Sequence, residues 1–261
     1  MKFLIIGDIV GRGARNILKT KLEGIIKENQ IQFVIANGEN ASGGNGLSYK
    51  NAQELFSYGI DVITMGNHTW DQKEIYKYID QEERIVRPSN YPSPCPGRGY
   101  TIIDKNNIKI AIYNLSGRVF LNSLDCPFKT FEKDYKNLKN LADIIILDFH
   151  GEATAEKKAM GWFVDGKVSL IFGTHTHVQT GDERILPNGT GYITDIGMTG
   201  PYNSVIGVDK DIVIERFLTQ RPIRFEVAKG PIELNGIIVD INEENGKCEN
   251  IQPYKQLYLQ E

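Results

Sequence analysis

Cysteine is scarce in this chain of 261 residues: only Cys95, Cys126 and Cys248 occur, far apart and with no C-x-x-C pair. That excludes a disulfide framework and a thiolate zinc cage, and points to a reducing, cytoplasmic setting. No stretch of about 18 uninterrupted apolar residues is present, so no membrane-spanning helix is expected. The opening Met1-Lys2-Phe3-Leu4-Ile5-Ile6-Gly7-Asp8 turns polar too early for an export signal. A long basic run is missing too, and 30 lysines and arginines against 33 aspartates and glutamates leave a formal net charge of −3. This balance argues against tight nonspecific binding to DNA or to an anionic membrane, so any phosphate recognition has to be local. At 41% hydrophobic and 24% charged residues the composition is that of a folded globular chain, which excludes disorder. No repeat or low-complexity linker marks a boundary, and one domain over residues 1–261 is expected.

What is present is an alternation of short apolar runs and helical patterns, the signature of a layered α/β fold. Phe3 to Ile6, Phe33 to Ala36, Val62 to Met65, Ile144 to Leu147, Val168 to Phe172 and Gly191 to Thr194 read as strands. Ile17, Leu18, Leu22, Ile25 and Ile26 recur at helical spacing. Ser48 is the expected N-cap of a helix through Phe56 that stops at Gly59. Further helices are predicted over Trp70–Ile79 and Phe131–Leu141, and a hairpin over Tyr100–Asp104 and Ile108–Tyr113. The proline-rich Arg87–Gly97 stretch is predicted to be an ordered loop or flap. After Met198, the segments Asp211–Phe217, Ile223–Ala228 and Ile232–Ile241 suggest antiparallel strands and connections.

The four histidines, His68, His150, His175 and His177, all follow apolar runs. So do Asp8, in Leu4-Ile5-Ile6-Gly7-Asp8, and Glu39 and Asn40, in Val34-Ile35-Ala36-Asn37-Gly38-Glu39-Asn40. Singly, each has an ordinary explanation as a turn, cap or core residue. Together they place five polar clusters at strand ends, where ligands of open α/β sheets bind. Imidazole, carboxylate and carboxamide donors without thiolate suit Mn, Fe or Zn. So many donors exceed one ion's needs, whereas two ions about 3.5–4 Å apart would use them and draw in an anionic phosphoester. The glycine-rich Asn40–Gly46 segment lacks the Gly-Lys-Ser/Thr of a P-loop, and Gly7–Gly13 is not G-x-G-x-x-G, so nucleotide cradles of those types are not expected.

Gly7-Asp8, Gly38-Glu39-Asn40, Gly66-Asn67-His68, His150 and Gly173-Thr174-His175-Thr176-His177 resemble, in order, the calcineurin-like metallophosphoesterase pattern. Gly7-Asp8-Ile9-Val10-Gly11-Arg12, Asn37-Gly38-Glu39-Asn40-Ala41 and Gly66-Asn67-His68-Thr69-Trp70 resemble its bacterial YmdB-like branch more closely. The resemblance implies a four-layer α/β/β/α sandwich with two metal ions, Fe or Mn first and Zn next, at the strand ends. It implies Asp8, Asn40 and His177 on one ion, Asn67, His150 and His175 on the other, and Glu39 between them. The superfamily's usual Asp-x-His is here Asp8-Ile9-Val10, and Asn40 fills the vacancy. His68 is then the catalytic residue, free to stabilise charge or protonate a leaving oxygen, with Asp71 as a candidate partner. The implied activity is hydrolysis of 2′,3′-cyclic nucleotides by a metal-bridging hydroxide. The rivals are a phosphomonoesterase or protein phosphatase with the same centre, and a non-catalytic metal-stabilised module that binds a nucleotide or partner. A small phosphodiester is the expected partner, with no membrane and no strong nucleic-acid signal; self-association is implied only by the family.

Overall fold

The computed structural model describes residues 1–259. The chain enters a first sheet through β1 (Lys2–Ile6), β2 (Asp8–Ile9), β3 (Phe33–Asn37), β4 (Val62–Thr64) and β5 (Ile85–Val86). The helices α1 (Gly11–Asn29) and α2 (Tyr49–Ser57) make the crossovers. A second sheet is built from β6 (Tyr100–Lys105), β7 (Ile108–Ser116), β8 (Ile144–His150), β9 (Leu170–Thr174), β10 (Arg184–Ile185) and β11 (Gly191–Ile193), with α3 (Pro127–Leu141) and α4 (Thr154–Val164). The chain then returns to the first sheet through β12 (Met198–Pro201), α5 (Lys210–Thr219), β13 (Ile232–Ile241) and β14 (Cys248–Tyr258). The first sheet runs β2-β12-β13-β1-β3-β4-β5 with β14 on β13, and the second runs β10-β11-β9-β8-β7-β6.

Side-chain alternation along these strands builds the layers. Phe3, Ile5, Phe33 and Ile35 of the first sheet meet Ile110, Ile112, Ile144, Ile146, Leu170 and Phe172 of the second in one buried cluster. The alternate residues Leu4, Ile6, Val34 and Ala36 pack on Leu18, Leu22 and Ile25 of α1 and on Ala52 and Leu55 of α2. On the far side, Ala111, Tyr113, Ile145 and Leu147 pack on Phe131 and Leu138 of α3 and on Met160 and Val164 of α4. Three cores between four layers give the α/β/β/α sandwich. Each fully buried Ile, Leu or Phe contributes about 1.5–3 kcal/mol of transfer free energy, so the sandwich positions its strand ends rigidly.

Strand direction decides where those ends lie. β1, β3, β4 and β5 are mutually parallel, as are β7, β8, β9 and β11. Their carboxyl ends therefore open along shared edges of the two face-packed sheets.

Several local expectations hold for identifiable reasons. Ser48 caps α2 by accepting from Asn51 N at 3.2 Å. Asn106 and Asn107 take positive φ of 58° and 65° at the β6–β7 hairpin, as a tight two-residue turn demands. Arg87 orders the proline-rich loop by donating to the carbonyls of Pro88, Cys95, Pro96 and Gly97.

Three segments differ. The helix predicted over Trp70–Ile79 is a 3-10 turn at Lys73–Lys77. Trp70 stacks on Tyr76 with centroids 5.3 Å apart; in an α-helix residues six apart rise about 9 Å and point to different sides, so the stack and the helix are incompatible. The strand suggested at Asp211–Phe217 is α5: Asp209 caps it through Asp211 N and Ile212 N, and only its Val213 is buried. β-branched composition there meets no sheet partner, and the cap decides. The helix α4 is not expected from the sequence. Two of its four buried positions are Lys157 and Gly161, so its inward face lacks the apolar periodicity by which a helix is recognised.

Candidate metal centre

Seven polar side chains from both sheets converge at these strand ends. Asp8, at the start of β2, is fully buried, and Glu39 is 1% exposed just past β3. Around them two groups form. In one, His177 Nε2 lies 3.7 Å from Asp8 Oδ1 and 3.2 Å from the Asn40 carboxamide nitrogen, which is itself 3.5 Å from Asp8 Oδ1. In the other, His150 Nε2 lies 2.8 Å from Asn67 Oδ1 and 3.1 Å from His175 Nδ1. Glu39 Oε1 is 3.1 Å from His150 Nε2. Asp8 also ties the two groups together, since His175 N donates to its Oδ2 at 3.3 Å.

The outward nitrogens of the three imidazoles explain what their inward nitrogens can do. His177 Nδ1 donates to Ile206 O at 2.9 Å, and His175 Nε2 pairs with Glu152 Oε2 at 3.1 Å. His150 Nδ1 lies 2.9 Å from Thr174 Oγ1, whose hydroxyl donates to Asp148 Oδ1 at 2.7 Å and so accepts from the imidazole. With each outer nitrogen directed at an acceptor, the inner nitrogens of His175 and His177 present lone pairs, and that of His150 does so once its second proton is displaced, the arrangement seen around metal-binding histidines. Donor atoms of Glu39, His150 and His175 all lie within 4.8 Å of one another. His150 Nε2 thus faces a carboxylate oxygen, a carboxamide oxygen and an imidazole nitrogen, and one proton satisfies at most one of the three. A cation fits where acceptors crowd in this way. Turning the Asn40 carboxamide by half a turn brings its oxygen into the same position.

Electrostatics carry the same message. Burial would push the Glu39 carboxyl up, but His150 and His68 outweigh it and hold it at about 2. Burial would likewise lower His150, yet Glu39, Asp8 and Asp148 raise it to about 9. His175 is drawn down to about 3 by burial and by the charge of His150, which keeps its lone pair free. Asp8 is raised, chiefly by its complete burial. A proton on His150 takes the place that a stronger Lewis acid fills better.

His68 stands apart from both groups. Its backbone N donates to Glu39 Oε2 at 2.9 Å, while its half-buried side chain turns outward and pairs through Nδ1 with Asp71 Oδ2 at 2.8 Å. Nε2 is left facing away from that carboxylate.

Sequence reasoning missed the supporting residues. Glu152, Asp148 and Thr174 orient imidazoles; Thr174 stands inside the Gly173–His177 motif, but nothing in the spacing of the three marks that role. Gly66 belongs to a motif, but its role is steric: a Cβ there would overlap the His150 ring and lie 2.5 Å from Glu39 Oε2.

A family model described as "YmdB-like protein" matches residues 4–254. The chain belongs to the YmdB-like family. It is 46% identical over 252 residues to a Bacillus subtilis protein named 2′,3′-cyclic-nucleotide 2′-phosphodiesterase, covering 97% of this chain and 96% of that one. Among solved structures, a hypothetical protein from Thermus thermophilus superposes with a TM-score of 0.93 at 37% identity, covering 98% and 99% of the two chains. A Mycoplasma pneumoniae protein titled a novel phosphatase does so with a TM-score of 0.93 at 37% identity, over 98% and 93%. YmdB-like membership places this fold among metallophosphoesterases and implies divalent metal ions. Among the described residues, no helix is long and apolar enough to cross a membrane.

Proposed function

We propose that this chain is a dinuclear-metal phosphodiesterase that opens the cyclic phosphate of 2′,3′-cyclic nucleotides to give nucleoside monophosphates. The single observation that carries the reading is the pair of adjoining donor groups with Glu39 beside them and one histidine, His68, turned outward from both toward Asp71. The name of the Bacillus subtilis relative supports the substrate class. Asp8, Asn40 and His177 would hold one ion, Asn67, His150 and His175 the other, with Glu39 shared; the oxygen and nitrogen donors suit Fe, Mn or Zn, and the family resemblance puts Fe or Mn first. When bound, the ions supply Lewis acidity and an ionised water at neutral pH.

The residues of the chain do the rest. Asp71 holds the Nδ1 proton of His68, so Nε2 is the nitrogen that can pass a proton to the departing ribose oxygen or donate a hydrogen bond to the phosphate. Glu39 fixes the start of that segment by accepting the His68 backbone N–H. The outer partners Thr174, Glu152 and Ile206 orient the imidazoles before any ion arrives. The three cysteines are all unpaired, which supports the reading of a cytoplasmic enzyme.

The test compares 2′,3′-cyclic nucleotides, linear diesters, phosphomonoesters and phosphopeptides at matched metal loading, with His68→Ala alongside. We expect preference for the cyclic diester. His68→Ala should lower kcat by about 10²–10⁴-fold, the usual worth of a positioned general acid, while elemental analysis still finds the parent's metal content. Preference for phosphomonoesters, or full turnover in His68→Ala, would sink the assignment.

A further inference from the structure

Lys157 of α4 and Asp195, just past β11, form a 2.6 Å salt bridge whose side chains are only 2% and 1% exposed. Neither belongs to the two groups of metal donors. Withdrawing two full charges from water is costly, and well-packed apolar residues of similar volume often serve stability as well or better. A role besides stability is therefore worth seeking in what the pair touches.

It touches the histidine loop on both sides of His175. Lys157 Nζ donates to Thr174 O at 2.8 Å. Asp195 Oδ2 accepts from Thr176 N at 3.2 Å and from Thr176 Oγ1 at 2.8 Å. Asp195 Oδ1 accepts from Gly197 N at 2.8 Å, which fastens the carboxylate to the chain leading into β12. Between and beside these anchored threonines, His175 and His177 adopt positive φ of 97° and 65°. A residue with a Cβ resists this region and keeps to it only where the surroundings over-determine it. The departure from strand geometry has a consequence. On a continued β9, His175 and His177 would share one face at strand spacing; here His175 Nδ1 meets His150 while His177 Nε2 meets Asp8 and Asn40.

We propose that the buried Lys157–Asp195 pair is a positioning device: it locks Thr174 and Thr176 so that the two strained histidines face the two halves of the metal centre. This rests on the dinuclear reading given under Proposed function. Lys157 and Asp195 act through the loop and touch neither ion nor substrate.

The test uses protein stripped of metal and then titrated with Mn²⁺, following the signal of the free ion by electron paramagnetic resonance. The visible spectrum of Co²⁺-loaded protein reports ligand geometry. Parent protein is compared with Lys157→Met/Asp195→Asn, which removes both charges without orphaning either, and with Thr176→Val, which removes one hydroxyl bond at a half-buried position. A parent that binds no ion overturns the metal reading itself, independently of the pair. With binding established, the double variant should keep the parent's circular dichroism and metal-free melting, lose about 10–100-fold in Mn²⁺ affinity, and show an altered Co²⁺ spectrum. Thr176→Val should shift both metal readouts in the same direction by less, and decides the matter if the double variant does not fold. Parent-like affinity and spectrum in the folded double variant, or in Thr176→Val where it alone folds, overturns the proposal.

Discussion

A glycine shows how little room the centre leaves. Gly66 carries the chain past His150 and Glu39, and any side chain there would enter the space between their donor atoms. Gly66→Ala should therefore leave a folded protein, by circular dichroism, that retains less than half the parent's metal on elemental analysis. Undiminished metal content would show that the two side chains yield, and that this close approach does not shape the site. The imidazoles make the complementary point. Three of them reach the centre through one nitrogen because the other is bound to Ile206, Glu152 or Thr174. The motif residues were legible in the sequence because chemistry restricts their type. Their partners were not: a backbone carbonyl, an exposed glutamate and a threonine carry no compositional signal, and only folding brings them within reach.

Elements show the same division. α2 was legible because its signals are local: Ser48 accepts from Asn51 N, and Gly59 lies just past its end. Ser48→Ala should cost about 1 kcal/mol of unfolding free energy in urea without altering metal content, the usual worth of a lost N-cap; no change would mean that tertiary packing alone holds that first turn. The helix α4 was illegible because it spends an inward position on Lys157, whose partner lies 38 residues away. The predicted helix at Trp70–Ile79 failed for a related reason. Its apolar periodicity was real, but stacking of Trp70 on Tyr76 and the edge contact of Trp70 with Tyr91 hold the segment in tighter turns. In the first case a distant ion-pair partner hid the helix from its pattern, and in the second aromatic stacking overrode that pattern.

For the whole molecule, the buried charges make stability depend on pH in a direction that metal should change. His150 is held at about 9 in the folded, metal-free protein, above the ordinary 6.5 of histidine. A group raised on folding stabilises the fold fully below its unfolded value, and that contribution is lost as pH rises through the folded one. The contribution of Asp148, raised to about 7 by burial, is already largely spent by neutrality. Between pH 7 and 9 the metal-free protein should thus lose stability through His150. An ion requires the same imidazole neutral, so its affinity should rise over that interval. Melting temperatures of stripped and Mn²⁺-loaded protein, measured at pH 7 and pH 9, should diverge toward the alkaline end. A constant or narrowing gap would show that His150 does not exchange its proton for an ion.

The linear order of residues determined the layered α/β class, because apolar alternation and helical periodicity are properties of neighbouring side chains. It also determined which atoms are available for chemistry, since with so few histidines and no paired cysteines the donors could only be oxygen and imidazole nitrogen. Tertiary structure alone decided how those donors meet. The parallel strands of two sheets bring their ends together across the sandwich, Asp8 and Glu39 lose contact with water, and His175 and His177 depart from strand geometry to reach different neighbours. Burial, charge and direction are relations between distant segments, and they come into being only when the chain is folded.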